Sequence, residues 1–451
     1  MKIEIPKSVE FIINNIETEG YEAYIVGGCV RDSLIGRIPN DWDITTNAKP
    51  TEIKDIFSKL DIKVIETGIK HGTVTLIFEK IPYEITTYRI EGKYSDKRHP
   101  DMVEFTKNIK KDLNRRDFTI NAMAYNYKNG LVDCYSGLCD LKNNIIKCVG
   151  DPSKRFREDA LRMIRAIRFS AQLNFEIEIH TKEAIKDLSY NIKNVSMERI
   201  KEEFNKILLS DDVFKIHKLN KYGLMKYFLP EFDICENTKQ NHPYHIFNVG
   251  SHILHAVSEI STELHLRLTM LLHDICKPNC KITDEKGIDH FYGHAEKSAE
   301  ACKNILKRMK YDNQTIIKVY NLVKYHDYEV YSNRSIKRLL NKMGEENFRD
   351  LLKVKEADIK AQNPKYYNKN HNILLEIEKR LEHILENKEC FSLKNLNISG
   401  KDLIELGFEQ GKEMGYVLKK LLDIVIENPD LNVSEELKSM ALKMIKDNKQ
   451  I

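Results

Sequence analysis

GGCVRDSLIGRIPNDWDITT, residues 27–46, joins a glycine pair to two aspartates separated by one tryptophan. Residues two apart on a strand point to the same face, so a strand through this stretch would aim the Asp41 and Asp43 carboxylates at one point. Such like charges repel unless a cation lies between them, and Mg²⁺ is a hard ion that prefers oxygen ligands. Gly27 and Gly28 allow backbone N–H groups to approach a phosphate. The stretch therefore predicts a metal–phosphate site, whereas the aspartate pair alone would also suit a polar strand edge.

Short runs rich in Val, Ile, Thr and Tyr surround this stretch, with turn residues between them, and predict strands. They are AYIV (23–26), WDIT (42–45), KVIE (63–66), TVTLIF (73–78) and EITTY (84–88). Apolar spacing predicts helices over 6–19 and about 50–60, and from about Asp151 helical periodicity continues to the end. Breaks fall near Pro230, near Asn363-Pro364 and near Glu389. The pattern predicts an α+β fold, in which a head with a mixed sheet precedes a long helical remainder.

Composition places the chain among globular proteins. It has 451 residues, enough for three or four units, with 41% hydrophobic and 31% charged residues. No apolar run approaches the roughly 20 residues that span a bilayer, and the start lacks a signal pattern. Nine cysteines without a CxxC pair indicate reduced thiols, and we expect a cytoplasmic protein without a membrane partner. The net charge of only +4 means that a nucleic-acid partner would need a local basic surface.

Further motifs follow the opening stretch in a fixed order. They are TGIKHGTVT (67–75), YEITTYR (83–89), YSDKRHPDMVEF (94–105), RRDFTINAMAY (115–125) and EDALR (158–162). Together they resemble the class II CCA-adding enzymes, which are tRNA nucleotidyltransferases with a polymerase-β-like head. The family signature, GGxVRDxLLGRxxxDxDxTT, differs from this chain only at Ile35. The resemblance covers at least residues 20–210.

This resemblance implies a set of site residues. Asp41 and Asp43 would hold Mg²⁺ at the head, with Glu84 as the third catalytic carboxylate. Arginine offers a planar fork of donors to phosphate oxygens, which suits Arg115 and Arg116 to a triphosphate. The implied nucleotide-binding residues are Gly28, Arg31, Arg115, Arg116, Asp117, Asn121, Asp159, Arg162, Arg165 and Arg168. Taken alone, the RRD cluster also suits a solvated helix start, and Glu84 also suits an exposed strand position.

Two features of the resemblance concern the choice of nucleotide. Asp159 and Arg162 stand at i and i+3, so we expect them on one helix face, where an acceptor and a fork of donors could read the base edge of C or A. An ordinary ion pair in a basic helix is the alternative. Arg89, Asp96 and Arg98 match loop residues that the family uses in switching from C to A, although any charged hairpin could carry them.

A second constellation lies downstream. Its stretches are HPYHIFNVGSHILHAV (242–257), LTMLLHDICKP (268–278), FYGHAEKSAE (291–300), VKYHDY (323–328) and EADIKAQ (356–362). They resemble the HD phosphohydrolase superfamily, which implies that His252, His273, Asp274 and Asp358 bind a divalent ion, Mg²⁺, Mn²⁺ or Ni²⁺. His294 would be an extra ligand or a phosphate-binding group. His326 and Asp327 are left out of the set, because the family pattern places the last carboxylate later in the chain.

The resemblances divide the chain into four segments. These are a nucleotidyltransferase head (1–150), a helical neck (151–230), an HD domain (231–363) and a helical tRNA-binding tail (364–451). In the tail, Gly411, Lys412 and Gly415 would allow the backbone to approach an RNA phosphate chain, or would belong to an ordinary helical packing. The sequence carries no signal for an oligomeric state.

The implied function is addition of CCA to the 3′ end of tRNA from CTP and ATP without a nucleic-acid template. Three alternatives remain: a poly(A) polymerase, a partial CC- or A-adding enzyme, or an HD phosphohydrolase whose head only binds RNA. GIKHGTVT stands where the poly(A) branch has a GRRF-like segment, which favours the tRNA enzyme. Arg89 and Asp96 favour addition of all three nucleotides.

Overall fold

The first unit contains a seven-stranded sheet. A computed structural model describes residues 2–92 and 102–448, and the chain divides into two units, 1–230 and 231–451. The first strands are β1 (Ala23–Val26), β2 (Ile44–Thr46), β3 (Lys63–Gly68), β4 (Thr73–Phe78) and β5 (Ile81–Thr87). They are followed by β6 (Arg89–Glu91), β7 (Val103–Phe105), β8 (Met123–Asn126) and β9 (Gly130–Asp133). The sheet order is β3-β4-β5-β2-β1-β8-β9, and β6 pairs with β7 separately.

Only the β2–β5 pair of this sheet is parallel, and its other neighbours are antiparallel. Alternation along β4, where Val74 and Leu76 are fully buried between half-buried neighbours, explains why this sequence forms a half-buried strand. All five predicted strands and both predicted helices exist, and the α+β class is confirmed.

The strand predicted over 42–45 begins later, at Ile44. Its neighbour β1 ends at Val26, because Gly27, with a φ of 84°, turns the chain into the next helix. Val26 still lies opposite Asp43 and donates its N–H to the Asp43 carbonyl (3.0 Å), whereas Asp41 lies beyond the end of β1. Asp41 and Asp43 lie just before the strand, where their side chains stay exposed.

Helices cover the sheet and continue into the second half of this unit. They are α1 (Lys7–Thr18), α2 (Gly28–Leu34), α3 (Pro50–Ser58), α4 (Ile109–Asn114), α5 (Gly137–Lys142), α6 (Pro152–Glu158), α7 (Leu161–Leu173), α8 (Ile179–Leu188), α9 (Met197–Leu208) and α10 (Ile216–Lys221). Most of α7 is buried, including Met163, Ile164 and Ile167, so it forms the core of the helical part.

The second unit is almost entirely helical. After α11 (Pro230–Glu236) it contains α12 (Val249–Glu259), α13 (Leu264–Leu272), α14 (Lys277–Cys280), α15 (His294–Arg308), α16 (Asn313–Tyr325), α17 (Asn333–Ala361), α18 (Tyr367–Glu386), α19 (Gly400–Glu405), α20 (Lys412–Glu427) and α21 (Ser434–Asn448). Helix α17 is kinked at Gly344. The helical region beyond Asp151 is interrupted only by two-residue strands in the described part: β11 (Glu176–Ile177), which pairs with β10 (Ile145–Ile146), β12 (Ile282–Thr283) and β13 (Asp289–His290).

All nine cysteines lie in the described part of the chain and are free thiols. Cys139 is exposed, whereas six of the others are buried. Burial raises the pKa of the Cys29 and Cys302 thiols to about 12. Over residues 2–92 and 102–448, no helix combines the length and the apolar character needed to cross a membrane.

Candidate active site

Three carboxylates lie near one another, two just before β2 and one on the adjacent strand β5. Ile44 of β2 lies level with Ile85 of β5, so the preceding residues, Asp43 and Glu84, are also level, and both side chains are exposed. Partial desolvation raises the pKa of Asp43, Arg116 lowers it, and the charges of Glu84 and Asp41 raise it. These carboxylates repel one another, and a divalent cation with oxygen ligands would relieve that repulsion.

Arg116 lies beside these carboxylates. A Cβ placed on Gly27 would stand 2.9 Å from Arg116 Nη1, so the glycine makes room for the guanidinium. Burial lowers the pKa of Arg116, and its Nε is a buried donor without a hydrogen-bond partner. An incompletely paired cation near Asp43 suits an anionic ligand, because a buried unsatisfied donor is costly.

A buried chain of hydrogen bonds connects α2 with α7. Arg31 Nη1 donates to Asn121 Oδ1 (2.7 Å), and Asn121 Nδ2 donates to Asp117 Oδ1 (3.2 Å). Arg165 Nε donates to Asp117 Oδ2 (2.8 Å). Burial raises the pKa of Asp117, but Arg165 and Arg162 outweigh it and hold that pKa well below its usual range. Arg31 also pairs with Asp32, so its fork is already engaged by protein groups.

A cavity of about 520 Å³ opens between the sheet and the helical part of the first unit. Its described lining contains six arginines and three carboxylates, a composition suited to a polyanion. The lining residues are Gly68, His71, Thr73, Arg89, Glu91, Arg115, Arg116, Asp117, Asp159, Leu161, Arg162, Arg165 and Arg199. Arg116 both lines this cavity and interacts with Asp43, which connects the cavity to the carboxylates.

The structure places Asp159 and Arg162 at this cavity, but not on one helix. Asp159 has extended backbone angles and separates α6 from α7, and its Oδ1 accepts from the Leu161 N–H (3.1 Å). The prediction of a shared helix face is therefore wrong, because the chain turns between two helices there. Arg162 Nη1 donates to Glu158 (2.9 Å) and its Nη2 to the Arg115 carbonyl (3.1 Å).

Of the other residues predicted to act on the nucleotide, some line this cavity and others do not. Arg168 does not line the cavity: it pairs with Glu203 (3.1 Å), and its guanidinium carbon lies 3.9 Å from the centroid of the Phe169 ring. Arg89 lines the cavity and pairs with Glu91 (2.8 Å). Asp96 and Arg98 lie outside the described residues, so their predicted loop role stays a prediction.

Sequence reasoning missed three residues at this site. Asp112 is fully buried and accepts from Arg115 Nε (2.9 Å), and its position three residues before Arg115 on a helical stretch could have signalled it. Glu91 pairs with both Arg89 and Arg115. Arg199 pairs with Asp159 from 40 residues further along the chain, and no local pattern indicates that contact.

The second unit gathers the four predicted HD residues. His252 Nε2 lies 3.3 Å and His273 Nε2 lies 3.2 Å from Asp274 Oδ2. Asp358 Oδ1 lies 3.0 Å from His252 Nε2 and 3.6 Å from His273 Nε2. Three of these side chains are essentially inaccessible to solvent, and the Asp358 side chain is 23% exposed.

Two further histidines lie next to the other side-chain oxygen of Asp274. His294 Nε2 lies 3.2 Å and His326 Nε2 lies 3.7 Å from Asp274 Oδ1. His326 was left out of the predicted set, yet the fold brings it into the cluster at the end of α16. Both oxygens of Asp274 are buried, and Lys277 Nζ also lies 2.6 Å from Oδ2.

Ring orientation shows which histidine nitrogens face the carboxylates. All four histidines place Nδ1 next to a backbone carbonyl: of Ala361 for His252, Met270 for His273, Phe291 for His294 and Val323 for His326. A carbonyl only accepts, so each Nδ1 carries a proton, and neutral rings turn their Nε2 lone pairs toward the carboxylates. Because the nitrogen lone pairs and the carboxylate oxygens repel one another, this arrangement requires a cation or additional protons between them. Burial lowers the pKa of His273, but Asp274 and Asp358 raise it to about 10.

A cavity of about 330 Å³ gives access to this cluster. Lys277 lines it, with Nζ 2.6 Å from Asp274 Oδ2, and His245 lines it as a neutral ring, because burial and Lys277 lower its pKa to about 3.

In the tail, a Cβ placed on Gly411 or Gly415 would meet nothing within 4 Å, so the backbone there is open to approach.

Comparisons with known proteins agree with the site in the first unit. Residues 23–147 match a family model described as "Poly A polymerase head domain", and 174–235 match "Probable RNA and SrmB- binding site of polymerase A". Residues 283–441 match a model of tRNA nucleotidyltransferase domain 2.

Solved structures share the fold. The crystal structure of the Bacillus stearothermophilus CCA-adding enzyme in complex with CTP has a TM-score of 0.71 at 24% identity, over 98% of each chain. The Thermotoga maritima CCA-adding enzyme complexed with tRNA has a TM-score of 0.60 at 20% identity, over 99% of this chain and 100% of that one.

Curated relatives match along nearly the whole chain. The CCA-adding enzyme of Lactobacillus helveticus is 34% identical over 420 residues, 92% of each chain. That of Ligilactobacillus salivarius is 34% identical over 452 aligned residues, 97% of this chain and 96% of the relative. With this identity over both halves, and with the motif residues gathered at one site, the chain belongs to the family of CCA-adding enzymes, the tRNA nucleotidyltransferases.

Proposed function

We propose that this protein adds CCA to the 3′ end of tRNA, using CTP and ATP and no nucleic-acid template. The observation that carries this proposal is one arrangement: the carboxylates Asp41, Asp43 and Glu84 adjoin, through Arg116, an arginine-lined cavity with Asp159 at its wall. The names and bound molecules of the relatives support it. We assign the reaction to the cytoplasm, where tRNA and nucleoside triphosphates are present.

In this proposal the carboxylates bind Mg²⁺. When bound there, Mg²⁺ supplies positive charge to the α-phosphate, the attacking 3′-hydroxyl and the departing pyrophosphate. Arg115 and Arg116 bind triphosphate oxygens. Arg116 Nε, which is otherwise a buried donor without a partner, then donates a hydrogen bond to one of these oxygens. Asn121 is held by Arg31 and Asp117, so it can present a fixed polar group to the sugar.

The base is read by protein groups. Asp159 offers an acceptor to the exocyclic amino group that C and A share, and Arg162 offers donors to their ring acceptors. Glu158 and the Arg115 carbonyl hold Arg162 in place at the cavity. Arg89, together with Asp96 and Arg98, belongs to the proposed switch from C to A.

The test uses tRNA that lacks its last three nucleotides. We expect incubation with CTP and ATP to extend it by three nucleotides, read by sequencing the 3′ ends, and CTP alone to stop after two. Long tails from ATP alone would identify a poly(A) polymerase, and a stop after CC with both nucleotides would identify a partial enzyme. Absence of any extension would contradict the proposal.

A second candidate function is favoured by the histidine–aspartate cluster. We propose that it binds a divalent cation through His252, His273, Asp274 and Asp358 and hydrolyses a phosphate ester. Nε2 lone pairs and carboxylates facing one point form a fitting donor set. His294 and His326 offer the same donor type on the other Asp274 oxygen, where a second ion would fit. Lys277 and the adjoining cavity suit a phosphate group.

Metal analysis tests this function apart from any activity. We expect purified protein to retain Mn²⁺ or Ni²⁺ after dialysis, and the cation to raise the melting temperature. Phosphate release from 2′-nucleotides or 2′,3′-cyclic nucleotides, with Mg²⁺, Mn²⁺ or Ni²⁺ supplied in turn, tests the hydrolysis. A protein that binds none of these ions would contradict the assignment.

A further inference from the structure

A second cavity lies beside the histidine–aspartate cluster in the second unit. It has a volume of about 320 Å³, and we call it the side cavity. It shares four lining residues with the cavity of about 330 Å³ that gives access to the cluster: His326, Asp327, Asp358 and Gln362. Because His326 and Asp358 belong to the cluster, a phosphate ester bound there can extend its alcohol portion into the side cavity.

Large apolar side chains line the side cavity. Tyr328, Tyr331 and Ile373 keep 39%, 62% and 39% of their surface exposed, although all three lie at this one cavity. Leu374 and Ile377, which are buried, also line it. Aromatic and aliphatic surfaces of this kind bind a planar ring by stacking and dispersion. The lining therefore suits a ligand with a flat face.

Polar groups lie among these side chains. Lys355 Nζ donates to the carbonyls of His326 (2.6 Å) and Tyr328 (2.9 Å), and because an ammonium group has three donors, one N–H remains for a ligand. Gln362 Nε2 donates to Asp358 Oδ2 (3.0 Å), which leaves the amide oxygen as an acceptor. A donor and an acceptor beside aromatic rings suit a flat ring that carries nitrogen and oxygen atoms, as a nucleobase does.

We infer that the side cavity is a nucleobase subsite, so that the cluster acts on a nucleoside monophosphate whose base lies against Tyr328 and Tyr331. This inference rests on the proposed phosphate-ester hydrolysis and adds the part of the substrate that distinguishes it from other phosphate esters. In that reaction the oxygen of water bonds to phosphorus, the ester P–O bond breaks, and the sugar hydroxyl leaves with one proton. The products are a nucleoside and inorganic phosphate.

The test compares two phosphate esters of secondary alcohols, adenosine 2′-monophosphate and glycerol 2-phosphate, which lacks the base. Calorimetry with Mn²⁺ present measures their affinities. We expect Tyr331→Ala to weaken binding of adenosine 2′-monophosphate about 5- to 100-fold, because it removes a stacking surface, and to leave binding of glycerol 2-phosphate unchanged. Ile373→Trp, which fills the cavity, should cause the same selective loss. Tyr416→Ala, at an exposed tyrosine outside the lining of both cavities, is the control and should alter neither affinity.

Phosphate release gives a second readout, which the nucleotide site proposed in the first unit does not contribute to. In Tyr331→Ala and Ile373→Trp, kcat/KM should fall for adenosine 2′-monophosphate and stay constant for glycerol 2-phosphate. Equal affinity of the wild-type protein for the two esters, or an equal effect of the variants on both, overturns the subsite, while phosphate release by the wild-type protein upholds the proposed hydrolysis. Selective nucleotide binding that both variants weaken, without phosphate release, would uphold the subsite and overturn the proposed hydrolysis.

Discussion

At the scale of single residues, we propose that the exposed carboxylates before β2 and on β5 carry the chemistry. We expect Asp43→Ala to reduce nucleotide addition at least about 100-fold, because a metal contribution of several kcal/mol would be lost. Binding of tRNA should change little, since RNA is held mainly through its backbone by other parts of the protein. Filter binding and primer extension measure the two properties, and near wild-type extension would contradict the metal assignment.

We propose that Asp159 and Arg162 control which base enters. We expect Asp159→Ala and Arg162→Ala each to lose about 1–3 kcal/mol of discrimination against UTP and GTP, because each removes a hydrogen-bonding partner of the base. Misincorporation, measured by sequencing extended tRNA, checks this. Arg157→Ala, a change in the same basic stretch at a residue outside the cavity lining, is the control. Unchanged selectivity in both variants would exclude a protein template.

Local motifs predicted the residues of the site better than their geometry. The RRD and EDxxR motifs named residues that the fold brings to one cavity, among them Arg115, Arg116, Asp159 and Arg162. The partners Arg199, Asp112 and Glu91 were missed, because tertiary contacts choose them and a single sequence does not display such contacts. His326 was discounted on pattern spacing, yet the end of α16 brings its ring to Asp274.

At the scale of elements, close approach of α5 supports the turn that carries Asn121. A Cβ on Gly137 would stand 2.2 Å from the Thr119 carbonyl oxygen. We expect Gly137→Ala to destabilise the protein by about 1–3 kcal/mol, because backbone would have to move. Urea unfolding measures this. Gly415→Ala, in a helix with open space around it, should instead be neutral or stabilising.

The ion pair between Asp117, three residues beyond the end of α4, and Arg165 of helix α7 predicts a pH dependence. Asp117 has a depressed pKa in the folded state, so its contribution is present above the unfolded-state pKa of about 3.9 and is lost as the pH falls toward the folded value. We expect Asp117→Asn to lower the free energy of unfolding by about 1–3 kcal/mol at pH 7. The gap from wild type should narrow at pH 3. Urea unfolding at both pH values tests it, and a constant gap would contradict the assignment.

The predicted bounds of an element were more accurate where its periodic pattern was stronger. The run TVTLIF alternates and gave β4 with its observed bounds, and Val74 and Leu76 are buried between half-buried neighbours. The strand predicted over 42–45 begins two residues late, at Ile44, and β1 beside it ends at Val26, which lies opposite Asp43. Spacing alone predicted that Asp159 and Arg162 share one helix, but the extended backbone of Asp159 separates α6 from α7.

At the scale of the whole molecule, the two candidate sites belong to different units of the chain. We expect the double variant His273→Ala/Asp274→Ala to lose divalent-ion binding, because two ligands of the cluster disappear. CCA addition should persist, since Asp41, Asp43 and the cavity residues are untouched. Paired assays of metal content and tRNA extension test this. Asp43→Ala is the reciprocal control and should leave metal retention at the second site unchanged.

A double variant that folds normally but adds no CCA would show that the second unit supports the tRNA reaction itself. Circular dichroism and urea unfolding distinguish that outcome from general misfolding. The four-segment division of the chain stays a prediction that limited proteolysis can address.

The cysteine thiols differ in solvent exposure, which allows a fluorescent dye to be attached selectively. Of nine cysteines, all in the described part of the chain, Cys139 is the exposed one, and thiols as buried as Cys29 and Cys302 stay protonated. A maleimide fluorophore should therefore attach preferentially to native protein at one point, without cysteine replacement. That point lies on α5, two residues from the glycine that touches the Asn121 turn. If Asn121 contacts the nucleotide as we propose, we expect the fluorescence of a dye at Cys139 to change during each addition.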